Sequence, residues 1–263
     1  MVIPPILDNK NTSSPSIFVP SALLREARRQ KHIPALQVPS VCLLDPDGDL
    51  VRALRDAGNA RHFEGWPCYH TELDTFTLAG HEVGIVGRVV GASFAVLVAE
   101  ELFASGCRLL ISLTSAGQIV PSGPPPYFVI IDRALRDEGT SYHYLPPSEF
   151  ADADHHLVQA ASIATSKTGP RAIVGSTWTT DAPFRETAEA IEAARSKGVL
   201  AVEMEAAALY AFARSASVRL LCLAHVTNTM GQDGADFEKG EASGTQDALS
   251  VLSCIIEALS PAD

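Results

Sequence analysis

The chain has 263 residues, long enough for one α/β domain to bury roughly three-quarters of the surface that its unfolded form exposes, without disulfide or metal staples. Hydrophobic residues make up 46% and aromatics 6%, so the core must come from Ala, Val, Leu and Ile, as in strands covered by helices on both faces. A formal net charge of −11 argues against the clustered positive surface that nucleic acid or an anionic membrane requires, and leaves a small molecule as the expected partner.

Residues 1–20 are rich in Pro, Ser and Asn, with no basic stretch leading into an apolar one, so an arm is expected rather than a signal peptide. Ser21 can cap a helix over 21–33, whose Arg25, Arg28, Arg29 and Lys31 form a basic face for solvent or for a subunit contact. The arm and this short helix occupy 1–38, and 39–263 is expected to be the catalytic domain. Strands are predicted at 40–44, 83–87, 108–113, 127–131, 171–176, 198–202 and 219–226. Helices are predicted at 49–57, 92–105, 185–196, 203–216 and 244–259. This alternation predicts a single-domain three-layer sandwich, with a mixed, largely parallel central sheet covered by helices. Cys42, Cys68, Cys107, Cys222 and Cys254 are odd in number and widely spaced, which reads as buried thiols of a reducing cytosol, and no Cys/His spacing suits a metal. No apolar run approaches the roughly 20 residues that span a bilayer, so a soluble cytoplasmic protein is expected.

Ligands of open α/β sheets bind beyond the carboxyl ends of the strands, so residues just after the predicted strands are the candidates. Strand 198–202 is followed by Glu203-Met204-Glu205, expected in the first turn of an alanine-rich helix. A carboxylate is favoured there by unpaired N–H groups and the helix dipole, and an ionised Glu can accept from both hydroxyls of a vicinal diol. Met204 offers a soft apolar surface to the carbon face of a sugar. The same residues also make an ordinary helix start. Strand 108–113 leads into Thr114-Ser115-Ala116-Gly117, read as a turn whose hydroxyls and N–H groups can hold an anion or a water. Pro183-Phe184-Arg185 opens a helix, and Phe184 can stack on a flat ring or pack in a core. Trp178 reads as packing, and Asp181 as the cap of the helix that follows it.

Residues 91–117, 138–147, 176–187 and 202–208, together with the strand ending at Thr227-Asn228, carry a resemblance in their order and content. From about Pro39 onward the chain resembles the nucleoside phosphorylase superfamily, most closely its uridine phosphorylase-like branch. The resemblance implies an enzyme that cleaves the bond between ribose and a nucleobase, without a metal or an organic cofactor. It implies a homo-oligomer whose sites are shared between neighbours. It places Glu205, Glu203 and Met204 on the sugar and Thr114, Ser115 and Gly117 near the nucleophile. Phe184, Arg185 and Asn228 fall on the base, and His143 can reach the ribose from its own or a neighbouring subunit.

The chain departs from that pattern where the family binds phosphate. The family's loop reads Gly-Asp-Pro followed by Arg, and here it is Leu44-Asp45-Pro46-Asp47-Gly48-Asp49; the family's second Arg is Ser112. Phosphorolysis needs a doubly charged nucleophile, usually held by bidentate Arg. Losing both arginines and gaining Asp47 and Asp49 predicts a site that repels phosphate, unless Arg61, Arg88 or a neighbouring subunit supplies charge. An acid there can act instead as general base on water, and the Thr-Ser-Ala-Gly segment is similar to that of the superfamily's hydrolytic nucleosidases. Hydrolysis through Asp47 or Asp49 is therefore expected, with phosphate-dependent cleavage and a catalytically silent nucleoside-binding protein as alternatives. Negative charge develops on the leaving base. Purine-cleaving relatives have an acid where this chain has Asn228, and uridine-cleaving relatives follow their Asn with an Arg, here Thr229. Asn228 suits a carbonyl or amide edge, so a pyrimidine or other oxo-bearing base is expected.

Overall fold

The computed structural model describes residues 4–166, 169–229, 239 and 244–261, so the first three residues of the arm and the last two of the chain lie outside the described residues. After helix α1 (Pro20–Lys31), the chain runs β1 (Val41–Asp45), α2 (Asp49–Asp56), β2 (Arg61–His62), β3 (Asp74–Leu78), β4 (His81–Gly87) and α3 (Ala92–Ala104). It continues as β5 (Leu109–Gln118), β6 (Tyr127–Asp137), β7 (Phe150–Asp152), α4 (His155–Thr165), β8 (Ala172–Thr180) and α5 (Ala188–Ser196). The last elements are β9 (Ala201–Glu203), α6 (Ala206–Ala216), β10 (Leu220–Thr229) and α7 (Thr245–Leu259).

The strands form one mixed sheet in the order β10-β6-β8-β9-β5-β1-β4-β3-β2, with β7 on the edge of β6. Strand β10 also pairs with β5, so β5, β9, β8, β6 and β10 close into a ring from which β1, β4, β3 and β2 extend as an open wing. β1 is parallel to β4 and β5, and β10 to β5, as the alternation of strands and helices predicts; β9 enters antiparallel to β5, and β6 antiparallel to β10.

Period-two alternation along the strands builds two cores. Cys42, Leu44, Leu110, Cys222 and Ala224 face α3 and α6, whereas Val41, Leu43, Leu109, Ile111, Leu221 and Leu223 face α2, α4 and α7. This is the expected three-layer arrangement. The alanine run Ala206–Ala208 lets α6 approach the sheet closely, and every residue from Ala206 to Ala213 is buried. A third, smaller cluster joins Trp178 to Ile119, Ala194, Val199 and Val202, and the indole N–H donates to Asp137 at 3.0 Å, so Trp178 packs as expected.

Several boundaries differ from the sequence reading. α1 begins at Pro20 after Val19, not after a Ser21 cap, because the fixed φ of proline suits a first helical residue. Asp181 does not cap α5; Thr187 does, and Asp181 accepts the Gly139 N–H at 2.8 Å instead. Residues 114–117 are not a turn, since β5 carries on through them to Gln118, paired with β10 and β9. α6 begins at Ala206, which puts Glu203 at the end of β9 rather than in a helical turn. Short β2, β3 and β7, and helix α4 with its Asp154 cap, were not anticipated.

Candidate active site

Because β1, β5 and β10 are parallel, their carboxyl ends lie side by side, and β9 delivers Glu203 to the same edge by pairing Val202 with Gly117. Two carboxylate clusters meet there.

The first lies at the β9–α6 junction. Glu203 is buried and accepts four hydrogen bonds: from the Thr177 and Thr179 hydroxyls at 3.0 and 2.5 Å, and from the N–H groups of Glu205 and Ala206 at 2.7 Å each. A carboxylate holding the first free N–H groups of α6 does the work of a helix cap, so Glu203 fixes the junction and is spoken for. Glu205 is 1% exposed. Its Oε1 accepts the Gly91 N–H at 2.7 Å. Gly91 stands at φ 94°, a conformation that a side chain disfavours, immediately before α3. The carboxyl of Glu205 therefore lies at the amino end of α3, not in the first turn of its own helix. Its Oε2 is buried with no partner among the described residues, an acceptor position facing inward. Burial, and then the charge of Glu203, push the Glu205 carboxyl up to about 8. Met204, between the two, is the partly exposed member of the trio.

The second cluster lies over β1 and β5. Asp45 is an internal brace: it accepts N–H groups of Gly48 and Val51 at 3.2 and 2.8 Å, and burial raises it to about 6. Asp47 reaches across to β5, where its two oxygens accept the Ser115 hydroxyl at 3.0 Å and the Ser115 N–H at 3.2 Å. Lys239 bonds both Asp47 at 3.3 Å and Asp49 at 2.5 Å, and Arg52 holds Asp49 at 2.5 Å. Two cations thus stand against the two acids. Together with Thr114, Ser115, His225 and Thr245, the acids and Lys239 line a cavity of about 30 Å³, room for a water or two. His225 stacks on Phe128 at 4.5 Å, and burial lowers its pKa to about 4, so it is neutral there.

Of the cations considered from the sequence, Arg88 lies beside this loop. Its backbone, at φ 63°, donates to Asp45 at 2.9 Å, and its stem covers Gly48 so closely that a Cβ there would come within 2.7 Å. Arg61 lies on β2, the far edge of the sheet. Ser112, where the family has Arg, is buried with its hydroxyl unpartnered among the described residues.

At the end of β10, a bulge between Val226 and Asn228 brings Asn228 opposite Gly117, and the Thr227 hydroxyl bonds the Asn228 side chain at 3.3 Å. The structure thus gathers Glu203, Met204, Glu205, Thr114, Ser115, Gly117, Asp47, Asp49 and Asn228 at one edge. It does not bring in Phe184, Arg185 or His143. Phe184 is 98% exposed on a short 3-10 turn with Arg185, and His143 sits against the arm, 3.1 Å from Lys10. His143 lines a separate cavity of about 360 Å³ with Phe18, Leu97 and Tyr144. Lys239 and Gln118 are the residues that sequence reasoning missed. Among the described residues, no group of three or more His, Cys, Asp and Glu could hold a metal, and no helix is long and apolar enough to cross a membrane.

Known proteins agree with this architecture. Residues 23–258 match the family model described as the phosphorylase superfamily. A purine nucleoside phosphorylase DeoD-type of Streptococcus uberis is 28% identical over 173 residues, 65% of this chain and 73% of that protein. The uridine phosphorylase of Thermococcus kodakarensis is 28% identical over 204 residues, 70% of this chain and 73% of that protein. Among solved structures, uridine phosphorylase from Vibrio fischeri superposes with a TM-score of 0.70 at 18% identity, covering 86% of this chain and 94% of the other. Purine nucleoside phosphorylase from Toxoplasma gondii, in complex with immucillin-H, superposes at 0.71 and 16%, covering 84% and 92%. With a family model matching residues 23–258, the chain belongs to the phosphorylase superfamily and is an enzyme of the nucleoside phosphorylase type.

Proposed function

We propose that this protein cleaves the N-glycosidic bond of a nucleoside with water as the nucleophile. The observation that carries the proposal is the Asp47–Ser115 contact. The hydroxyl and N–H of Ser115 are the donors that an incoming anion would use, and the chain's own carboxylate accepts from both. Phosphate would have to displace Asp47, whereas a water fits the small cavity beside it.

In this reading the ribose hydroxyls meet Glu205 and the carbon face of the sugar meets Met204. As the bond from C1′ to the base breaks, positive charge grows on the ribose near Glu205 and negative charge on the base. Water attacks C1′ and gives its proton to Asp47, while the departing base takes its electron pair and draws a proton from solvent. Asp49 is tied to both Lys239 and Arg52 and serves to position that lysine. Asn228 meets a carbonyl or amide edge of the base. Phe184, Arg185 and His143, exposed or half-exposed in a single chain, act across an interface between copies of a homo-oligomer.

The names of the relatives and the cation at the site support a second reading, phosphorolysis, in which phosphate evicts Asp47 and pairs with Lys239. Incubating the protein with uridine and inosine, with and without phosphate, separates the two. Base release that does not depend on phosphate is expected; strict dependence, with ribose 1-phosphate as product, would make the second reading correct.

A further inference from the structure

Gln118 ends β5 and is 4% exposed, yet its polar end does not serve the sheet. Its Oε1 accepts the Ser122 N–H at 3.2 Å and the Tyr127 hydroxyl at 2.8 Å. A backbone N–H can only donate, so the atom facing Ser122 must be the carbonyl oxygen. The orientation of the carboxamide is thereby fixed, and its NH₂ points the other way. In that direction it meets the Thr229 hydroxyl oxygen at 3.4 Å.

Register places this NH₂ group at the site. Gln118 lies opposite Thr229 on β10 and opposite Ala201 on β9, between the Asn228 end and the Glu203–Glu205 junction. Strand alternation puts its side chain on the same face of β5 as Thr114 and Ala116. One N–H of the amide is used on Thr229, and the other has no partner among the described residues. Thr229, accepting from Gln118, has its own hydroxyl proton to give. Two donors therefore converge beside Asn228, held in place by Tyr127 and by the main chain.

We infer that Gln118 reads the base: its carboxamide N–H and the Thr229 hydroxyl donate to a ring oxo group, and so select nucleosides with an oxo-bearing base over their amino counterparts. The inference rests on the reading of this site as a nucleoside N-glycosidase and adds the residue that chooses the base. A buried pair of donors facing an exocyclic amino group would be left unsatisfied, and that penalty is the source of the discrimination.

The test compares uridine with cytidine and inosine with adenosine, pairs that differ in an oxo against an amino group at one ring position. The wild type should favour the oxo member of each pair in kcat/KM. Gln118→Glu retains acceptors for Ser122 and Tyr127 but presents a carboxylate to the base, and should lower the oxo-to-amino ratio roughly tenfold or more. Thr229→Val removes the second donor on a less buried residue and should lower the ratio in the same direction by a smaller factor, with an unchanged melting temperature. A wild-type preference for the amino members, or ratios unmoved in both folded variants, would overturn the inference while leaving the glycosidase reading intact. Release of no base from any of the four nucleosides would overturn that reading and this inference with it.

Discussion

The two carboxylate clusters at the edge of the sheet stand a few residues apart in space and are opposites in electrostatics. At the β9–α6 junction, Glu203 and Glu205 are buried with no salt bridge among the described residues, and burial raises Glu205 to about 8. Over β1 and β5, Asp47 and Asp49 face Lys239 and Arg52 and are partly open to solvent, and these cations lower Asp49 despite its partial burial. The same chemical group is thus held toward its neutral form at Glu205 and toward its charged form at Asp49.

Removing the first cluster's acceptor should have the largest effect. Glu205→Gln should lower kcat by roughly a hundredfold or more, because a diol acceptor and the charge facing the developing cation go together. Wild-type kcat in this variant, on a substrate the protein is known to cleave, would remove Glu205 from the sugar.

The pH profile sharpens the contrast. If the ionised form of Glu205 is the productive one, kcat/KM should rise with pH and level off above about 8. Stability runs the other way. The folded value lies above the ordinary 4.5, so the contribution of the protonated carboxyl is fully present below 4.5 and is lost as pH rises through about 8. Thermal melting across that range should decline while activity climbs; a flat activity profile between pH 6 and 9 would contradict the assignment.

In the second cluster, Lys239→Met should lower kcat/KM roughly tenfold, since Asp47 and Asp49 lose the cation that bridges them. An unchanged kcat/KM would show that this bridge plays no part in the reaction. The smallest effect on turnover is expected from Glu203→Gln. Its role is to accept four donors at a helix start, so the change should appear as lost stability of about 1–3 kcal/mol in denaturant unfolding. A large fall in kcat with stability unchanged would give Glu203 a chemical role.

Legibility in the sequence followed the range of the interactions. Periodicity carried the two cores, because each strand's alternate residues must face one helical layer or the other, and residues 92–104 and 49–56 formed helices where their patterns placed them. The Glu203-Met204-Glu205 segment stood out in the sequence, but its geometry did not. The bond from Glu205 to Gly91 spans 114 positions, and no local rule foresees that a carboxyl will sit at the start of another helix. Lys239 lies 192 positions from Asp47, and its role exists only through the fold. β3 escaped notice because Asp74, Thr75 and Thr77 dilute its apolar pattern, although Arg55 pairs with Asp74 at 2.6 Å to hold it. β5 was cut short for a related reason: its Thr and Ser residues look like a turn, and become strand because β10 and β9 flank them.

The central claim is that Asp47 occupies the place of an incoming anion and leaves water to attack. The most direct measurement is to run the reaction in heavy-oxygen water with phosphate present and to weigh the sugar product. Free ribose carrying one solvent-derived oxygen at C1′ is the predicted result; ribose 1-phosphate without that label would contradict the account.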